Sequence, residues 1–119
     1  MTGSIKDIIA EDFQLATKNM LTRNKNLLDT LSKLQTSSAR LSRAIVKSAT
    51  HCGCIQVTCQ REAEITGTLC GRCRSAIEKE MGDVLFYITG ICNTLDLSIY
   101  DVMIKEKEAL NLLGNFSLK

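Results

Sequence analysis

Residues 27–48 read LLDTLSKLQTSSARLSRAIVKS, and this stretch decides the fold. Leu27, Leu31, Leu34, Ser38, Leu41, Ile45 and Ser48 recur at intervals of 4-3-4-3-4-3, the heptad seam of a long amphipathic helix, and Leu28 and Ala44 widen the stripe. No Gly or Pro interrupts residues 4–52. Such a helix suits the core of a bundle, or pairing with its own copy in a dimer, and the two are compatible.

On the N-terminal side, Ser4 followed by Asp7 predicts a helix start with Ser4 as cap. Ile5, Ile8, Ile9, Phe13, Ala16 and Met20 continue it at helical spacing. The polar run from Thr22 to Asn26 marks a bend or short break before the long helix.

On the C-terminal side the helical period fails at His51. Residues 51–73 hold five of the six cysteines together with Gly53, Gly67 and Gly71. Ile55 to Cys59 read as a short extended piece. Helix signals return with Ser75 and Glu78 in capping-box spacing, and Ile77, Met81, Val84, Leu85, Ile88, Ile91, Cys92 and Leu95 form the apolar face. A turn over 94–97 leads to Ser98 and Asp101, which cap a last helix. Gly114 is its expected stop. The expected architecture is all-α, a bundle of about four helices forming one domain over 1–119, with a metal-binding insertion at 51–74.

The composition agrees. The 119 residues include no proline and only 4% aromatics, which favours helices over a β-sandwich. Net charge is +2, but residues 1–50 are basic and the rest mildly acidic, so the first half could face an acidic partner or a sister chain. The N-terminus carries no basic region followed by an apolar run, and no apolar stretch approaches the length of a membrane span. A cytoplasmic location with no membrane is expected, and the cysteines then read as thiols or metal ligands rather than as a disulfide framework.

Cys52-Gly53-Cys54 and Cys70-Gly71-Arg72-Cys73 are separated by 15 residues. Two tight turns, each offering two sulfurs, are how one tetrahedral ion is caged, and the glycines let amide N–H groups turn toward the thiolates. Cys52, Cys54, Cys70 and Cys73 are therefore the predicted ligands of a zinc ion. His51 and Cys59 are spare ligands that could replace one of them. A closed four-sulfur site leaves no position for water, so the zinc is structural. Its net charge of −2 could be balanced by Arg61, Arg72 and Arg74. The competing reading is free thiols or a Cys70/Cys73 redox pair, but the flanks lack the strand–helix setting such a pair needs. Cys92 falls on an apolar helix face and reads as core.

Glu80 and Asp83 lie three residues apart on one helical face. The run Glu80-Met81-Gly82-Asp83-Val84-Leu85-Phe86-Tyr87-Ile88, followed by Asn93, Leu95, Leu97 and Tyr100-Asp101-Val102, resembles the third and fourth helices of the MazG-like all-α nucleotide pyrophosphohydrolases. The resemblance covers about residues 78–108. It implies a dimeric or larger helical bundle in which Glu80 and Asp83 would hold Mg²⁺ and Asn93 would help hold the nucleotide. In place of that family's Glu-x-x-Glu motif on the earlier core helix, this chain has Ser37 and Arg40. Asp29 is the only acidic residue between Asp12 and Glu62. Two anions do not readily do the work of four around Mg²⁺, and Arg40 would oppose the metal and could pair instead with Glu80 or Asp83.

The expected function is thus a non-catalytic relative, a zinc-stabilised homodimeric adaptor or regulatory module that binds a protein or a nucleotide. Arg40, Arg43 and Lys47 could meet phosphates. An active Mg²⁺-dependent nucleoside triphosphate pyrophosphohydrolase is the alternative, with Glu78 or Glu106 as further ligands. A nucleic-acid-binding zinc protein using Lys33, Arg40, Arg43 and Lys47 is the third, disfavoured by the lack of a strong basic patch and stacking aromatics.

Overall fold

The computed structural model describes residues 5–20, 26–58 and 65–117, with side chains from Ile8 to Gly114 within those ranges. The elements run α1 (Ile5–Met20), α2 (Leu27–Lys47), a π turn (Ser48–Cys52), β1 (Ile55–Val57), β2 (Ile65–Gly67), α3 (Gly71–Thr94) and α4 (Ile99–Ser117). The chain is mostly helical, as expected, with one small two-stranded sheet. Among the described residues no helix is long and apolar enough to cross a membrane. The proposed cap Ser4 and the spare ligand Cys59 lie outside the described residues.

The chain divides into two compact units. In the first, residues 1–30 and 88–119, α1 packs on α4. Its core is Ala10, Cys92 and Ile99, with Ile88 and Tyr100 against them, so Cys92 is core as expected. Gln14 locks the two segments together. Its Nε2 donates to Asn93 Oδ1 (2.9 Å) and to the Leu97 carbonyl (2.7 Å), and its Oε1 accepts from the Ile99 N–H (2.9 Å). The turn after α3 is a Schellman closure. Asp96 takes a left-handed φ of 57°, and the Leu97 N–H reaches back to the Cys92 carbonyl at 2.8 Å. Ser98 caps α4 through the Asp101 N–H, as its sequence position predicts.

In the second unit, residues 31–87, the π turn carries α2 into a β-hairpin. The hairpin is antiparallel, pairing Ile55 with Gly67, Gln56 with Thr66 and Val57 with Ile65. Ile55 is its buried anchor.

Three readings of local structure are corrected. First, α3 begins at Gly71, not Ser75, because a cysteine rather than a serine caps it, and Ser75 is an exposed residue inside the helix. The second knuckle is therefore helical, and of the described residues of the 51–74 insertion only 53–58 and 65–70 are non-helical. Second, α4 runs through Gly114 to Ser117. A mid-helix Gly costs only about 1 kcal/mol and does not compel a stop. The start of α2 is as expected: it follows Asn26, whose Oδ1 accepts the N–H groups of Leu28 and Asp29. Third, Thr30 and Ser37 are buried off the expected seam; of the seam itself Ser48 is buried and Leu27, Leu34 and Leu41 half-buried, while Leu31, Ser38 and Ile45 are exposed. Thr30 and Ser48 turn their hydroxyls back onto the carbonyls of Asn26 and Ile45, so burying them strands no donor.

Candidate metal centre and the cavity beside it

The sulfur atoms of Cys52, Cys54, Cys70 and Cys73 all lie within 4.8 Å of one another. Cys52 and Cys54 come from the end of the π turn. Gly53 between them takes a left-handed φ of 76° and its N–H bonds the Ser48 carbonyl at 3.0 Å. That reversal lets a spacing as short as Cys-x-Cys present both sulfurs to one side. The Cys54 thiol also reaches the Ser48 carbonyl, at 3.7 Å.

Cys70 and Cys73 come from the start of α3. Cys70 is the cap: its sulfur accepts the Cys73 N–H at 3.4 Å, and its carbonyl accepts the Arg74 N–H at 2.9 Å. The hairpin brings the two knuckles together through Gly67, at φ 87°, whose Cα presses so close to Cys54 that a Cβ there would stand 2.5 Å from its carbonyl oxygen.

The donor set fits one tetrahedral ion. With metal–sulfur bonds of about 2.3 Å, the edges of an S₄ tetrahedron are about 3.8 Å. The Cys52 and Cys70 sulfurs are 3.8 Å apart. Disulfide partners would be bonded at about 2.05 Å, and these four cysteines are free. The four can hold one metal ion. The Cys73 backbone N–H, then its thiol, hold Cys70 down at about 7. The bond to Cys70, and then burial, push Cys73 up to about 12. The N-terminus of α3 adds its partial positive charge where the thiolates must form. His51 is not in the group; its Nδ1 lies 3.4 Å from the Thr50 hydroxyl.

Beside the sulfurs opens a cavity of about 620 Å³. Arg40, Arg43 and Lys47 line it from α2, His51 and Cys52 from the π turn, and Arg72, Cys73 and Glu80 from α3, with Ala44 and Ala76 as apolar wall. The sequence singled out the three α2 cations. It did not single out His51 and Arg72 as their companions, which only the approach of the two knuckles reveals.

The other predicted residues fall as follows. Asp83 is bridged to Lys79, one turn earlier, at 2.5 Å rather than to Arg40. Glu80 shares the cavity with Arg40, and its Oε2 is enclosed without a hydrogen-bond partner among the described residues. Asn93, read as a nucleotide contact, has its amide engaged by Gln14: Oδ1 accepts from Nε2, and Nδ2 donates to the Gln14 carbonyl at 3.2 Å. Ser37 is buried.

No protein-family profile matches the chain, and neither does any curated protein or solved structure.

Proposed function

We propose that the chain is a zinc-stapled, homodimeric relative of the MazG-like bundle, acting as a regulatory or adaptor module that binds a protein or a nucleotide without hydrolysing it. The observation that carries this is the convergence of four cysteine sulfurs to within 4.8 Å. All-sulfur donors select a soft or borderline ion, and Zn²⁺ is the ordinary occupant of such a site. With all four positions taken by protein, the ion is a staple joining the end of α2 to the start of α3.

The absence of hydrolysis is supported by the state of the carboxylates. Asp83 already pairs with Lys79, and Glu80 lies in a cavity with Arg40, Arg43, Lys47 and Arg72. Mg²⁺ takes near-octahedral oxygen ligation from carboxylates and substrate phosphates, and a cavity lined by four cations against one carboxylate opposes it.

The dimer is supported by apolar side chains left in water. On α4, Met103, Leu110 and Leu113 are 53%, 57% and 62% exposed, and Val102, Met103 and Leu110 line a mainly apolar groove. On α1, Ile9 and Phe13 are exposed as well. Contiguous apolar faces of this kind mark association surfaces.

Zinc content per chain, measured with native mass on reduced protein, tests the proposal. One zinc per chain and a dimeric mass are expected; a metal-free monomer refutes it. Magnesium-dependent pyrophosphate release from a nucleoside triphosphate, abolished by Asp83→Ala, would defeat the non-catalytic reading.

A further inference from the structure

We infer that the apolar groove on α4 receives a second copy of this chain, α4 against α4 and antiparallel, with a two-fold axis passing between Glu106 and Lys107. The inference deepens the proposed function and rests on its dimer reading.

The second half of α4 is left without packing. Only the start of the helix joins the core of its unit, where Ile99 is buried with Ala10 and Cys92. From Lys105 to Gly114 every residue is exposed. A stretch of helix this short is marginal in water unless a packed face supports it. Ile99, Met103, Glu106, Leu110 and Leu113 follow one another at 4-3-4-3, the seam of helix-on-helix packing. Along that seam runs a groove of about 440 Å³, lined by Val102, Met103, Glu106, Lys107, Leu110 and Asn111.

Charge decides what fits the groove. On the opposite side of α4 the charges satisfy one another along the helix. Asp101 has Lys105 four residues on, and Lys105 has Glu108 three residues on. Glu106 and Lys107 have no such neighbours, and adjacent residues on a helix do not face each other. The positions three and four residues either side of Glu106 are Val102, Met103, Ala109 and Leu110; those of Lys107 are Met103, Ile104, Leu110 and Asn111. Among the described residues no ion pair engages either one. An acid and a base thus stand side by side in the middle of an apolar groove, each left for a charge from outside the chain.

The pattern is its own complement. About an axis between Glu106 and Lys107, positions equally far from the axis meet. Glu106 of one copy meets Lys107 of the other, Met103 meets Leu110, and Val102 meets Asn111. Gly114 falls opposite Ile99, which its own core already covers, so no side chain competes for that space. Parallel pairing would set Glu106 on Glu106 and Lys107 on Lys107, like charges across an apolar seam. A second copy supplies the reversed pattern by symmetry, as a two-fold interface built from one patch requires.

The test is sedimentation equilibrium of the full chain and its variants, with helix content and zinc measured on the same samples. The unaltered chain is expected to be a dimer. Leu110→Asp should weaken the dimer roughly tenfold or more, with helix and zinc content unchanged because Leu110 is exposed in the single copy. Leu112→Asp, on the opposite side of α4 and as exposed, should leave the dimer intact. Glu106→Lys and Lys107→Glu should each weaken it by roughly tenfold. Both changes in one chain, or an equimolar mixture of the two single variants, should restore it. A monomer at every concentration overturns this inference together with the dimer reading. A dimer indifferent to Leu110→Asp and to both charge reversals overturns the α4 face and leaves the dimer reading standing. Equal loss with Leu112→Asp overturns the face as well. Dissociation by Leu110→Asp with no effect of either charge reversal overturns the antiparallel register.

Discussion

Replacing Gly67 by alanine should break the metal site from outside its ligand set. Gly67 lies at φ 87°, where an L-residue costs about 1–2 kcal/mol. Its new Cβ would stand 2.5 Å from the Cys54 carbonyl oxygen and 3.4 Å from the Ile55 Cα. Both are backbone atoms of the paired strand, so no side-chain rotation relieves the contact. The oxygen must retreat by nearly 1 Å, an overpacking cost of about 1–3 kcal/mol. Together these give about 3 kcal/mol, and the displacement falls on a ligand residue. Metal–sulfur bonds tolerate about ±0.2 Å, so zinc affinity should drop at least tenfold, read by competition with a chromophoric chelator, and the thermal midpoint should drop by roughly 10 °C or more. Two other glycines calibrate the result. Gly53 has a left-handed φ of 76° but open space around it, so Gly53→Ala should show only the strain, about 1 kcal/mol. Gly71 meets nothing and is helical, so Gly71→Ala should be neutral or slightly stabilising. A Gly67→Ala protein with wild-type zinc affinity and midpoint would refute the claim that the hairpin aims Cys54 at the metal.

Metal-stripped protein should alkylate first at Cys70, with the rate rising through a midpoint near pH 7, while Cys73, held up at about 12, lags; peptide mapping after a short iodoacetamide pulse reads both. The sign follows from the thiolate being the nucleophile: a lowered pKa populates it at lower pH, and zinc should protect all four sulfurs. Asp96→Gly relieves a left-handed non-glycine residue and should stabilise by about 0.5–1 kcal/mol in denaturant unfolding; a loss would show that its side chain has an unrecognised partner. Gln14→Ala removes three hydrogen bonds joining α1 to the α3–α4 turn and should destabilise by about 1–3 kcal/mol, with zinc content unchanged because the metal ligands belong to residues 31–87.

The helices were legible because each obeys a local rule: hydrophobic spacing in α1 and α2, Ser98 as the cap of α4, four cysteines in two close pairs. What was illegible depended on partners distant in sequence or on an unusual group in a familiar role. A cysteine sulfur caps α3, so rules built on Ser, Thr, Asp and Asn placed its start four residues late. The buried line of α2 includes Thr30, whose hydroxyl bonds back to its own helix and which a count of apolar residues passes over. Gln14 reaches atoms 79 to 85 residues away, a distance no periodicity reports. The cavity needed three elements to converge before Arg72 could be seen to face the same space as Arg40.

The sign of the charge on α2 is what separates the two chemistries this bundle could serve. A carboxylate at the position of Arg40 would draw a divalent cation toward Glu80; a guanidinium repels it. At an effective dielectric near 20, a doubly charged ion 5 Å from one such cation is opposed by about 7 kcal/mol, more than a single carboxylate at similar distance offsets once desolvation is counted. The same field attracts phosphate oxygens. An anion drawn into the cavity would meet four cations beside the single carboxylate of Glu80. Placing a carboxylate on this face, with Arg40→Glu, should therefore strengthen Mg²⁺ binding beside Glu80, read by calorimetric titration of the variant against the unaltered chain; equal affinities would refute the reasoning.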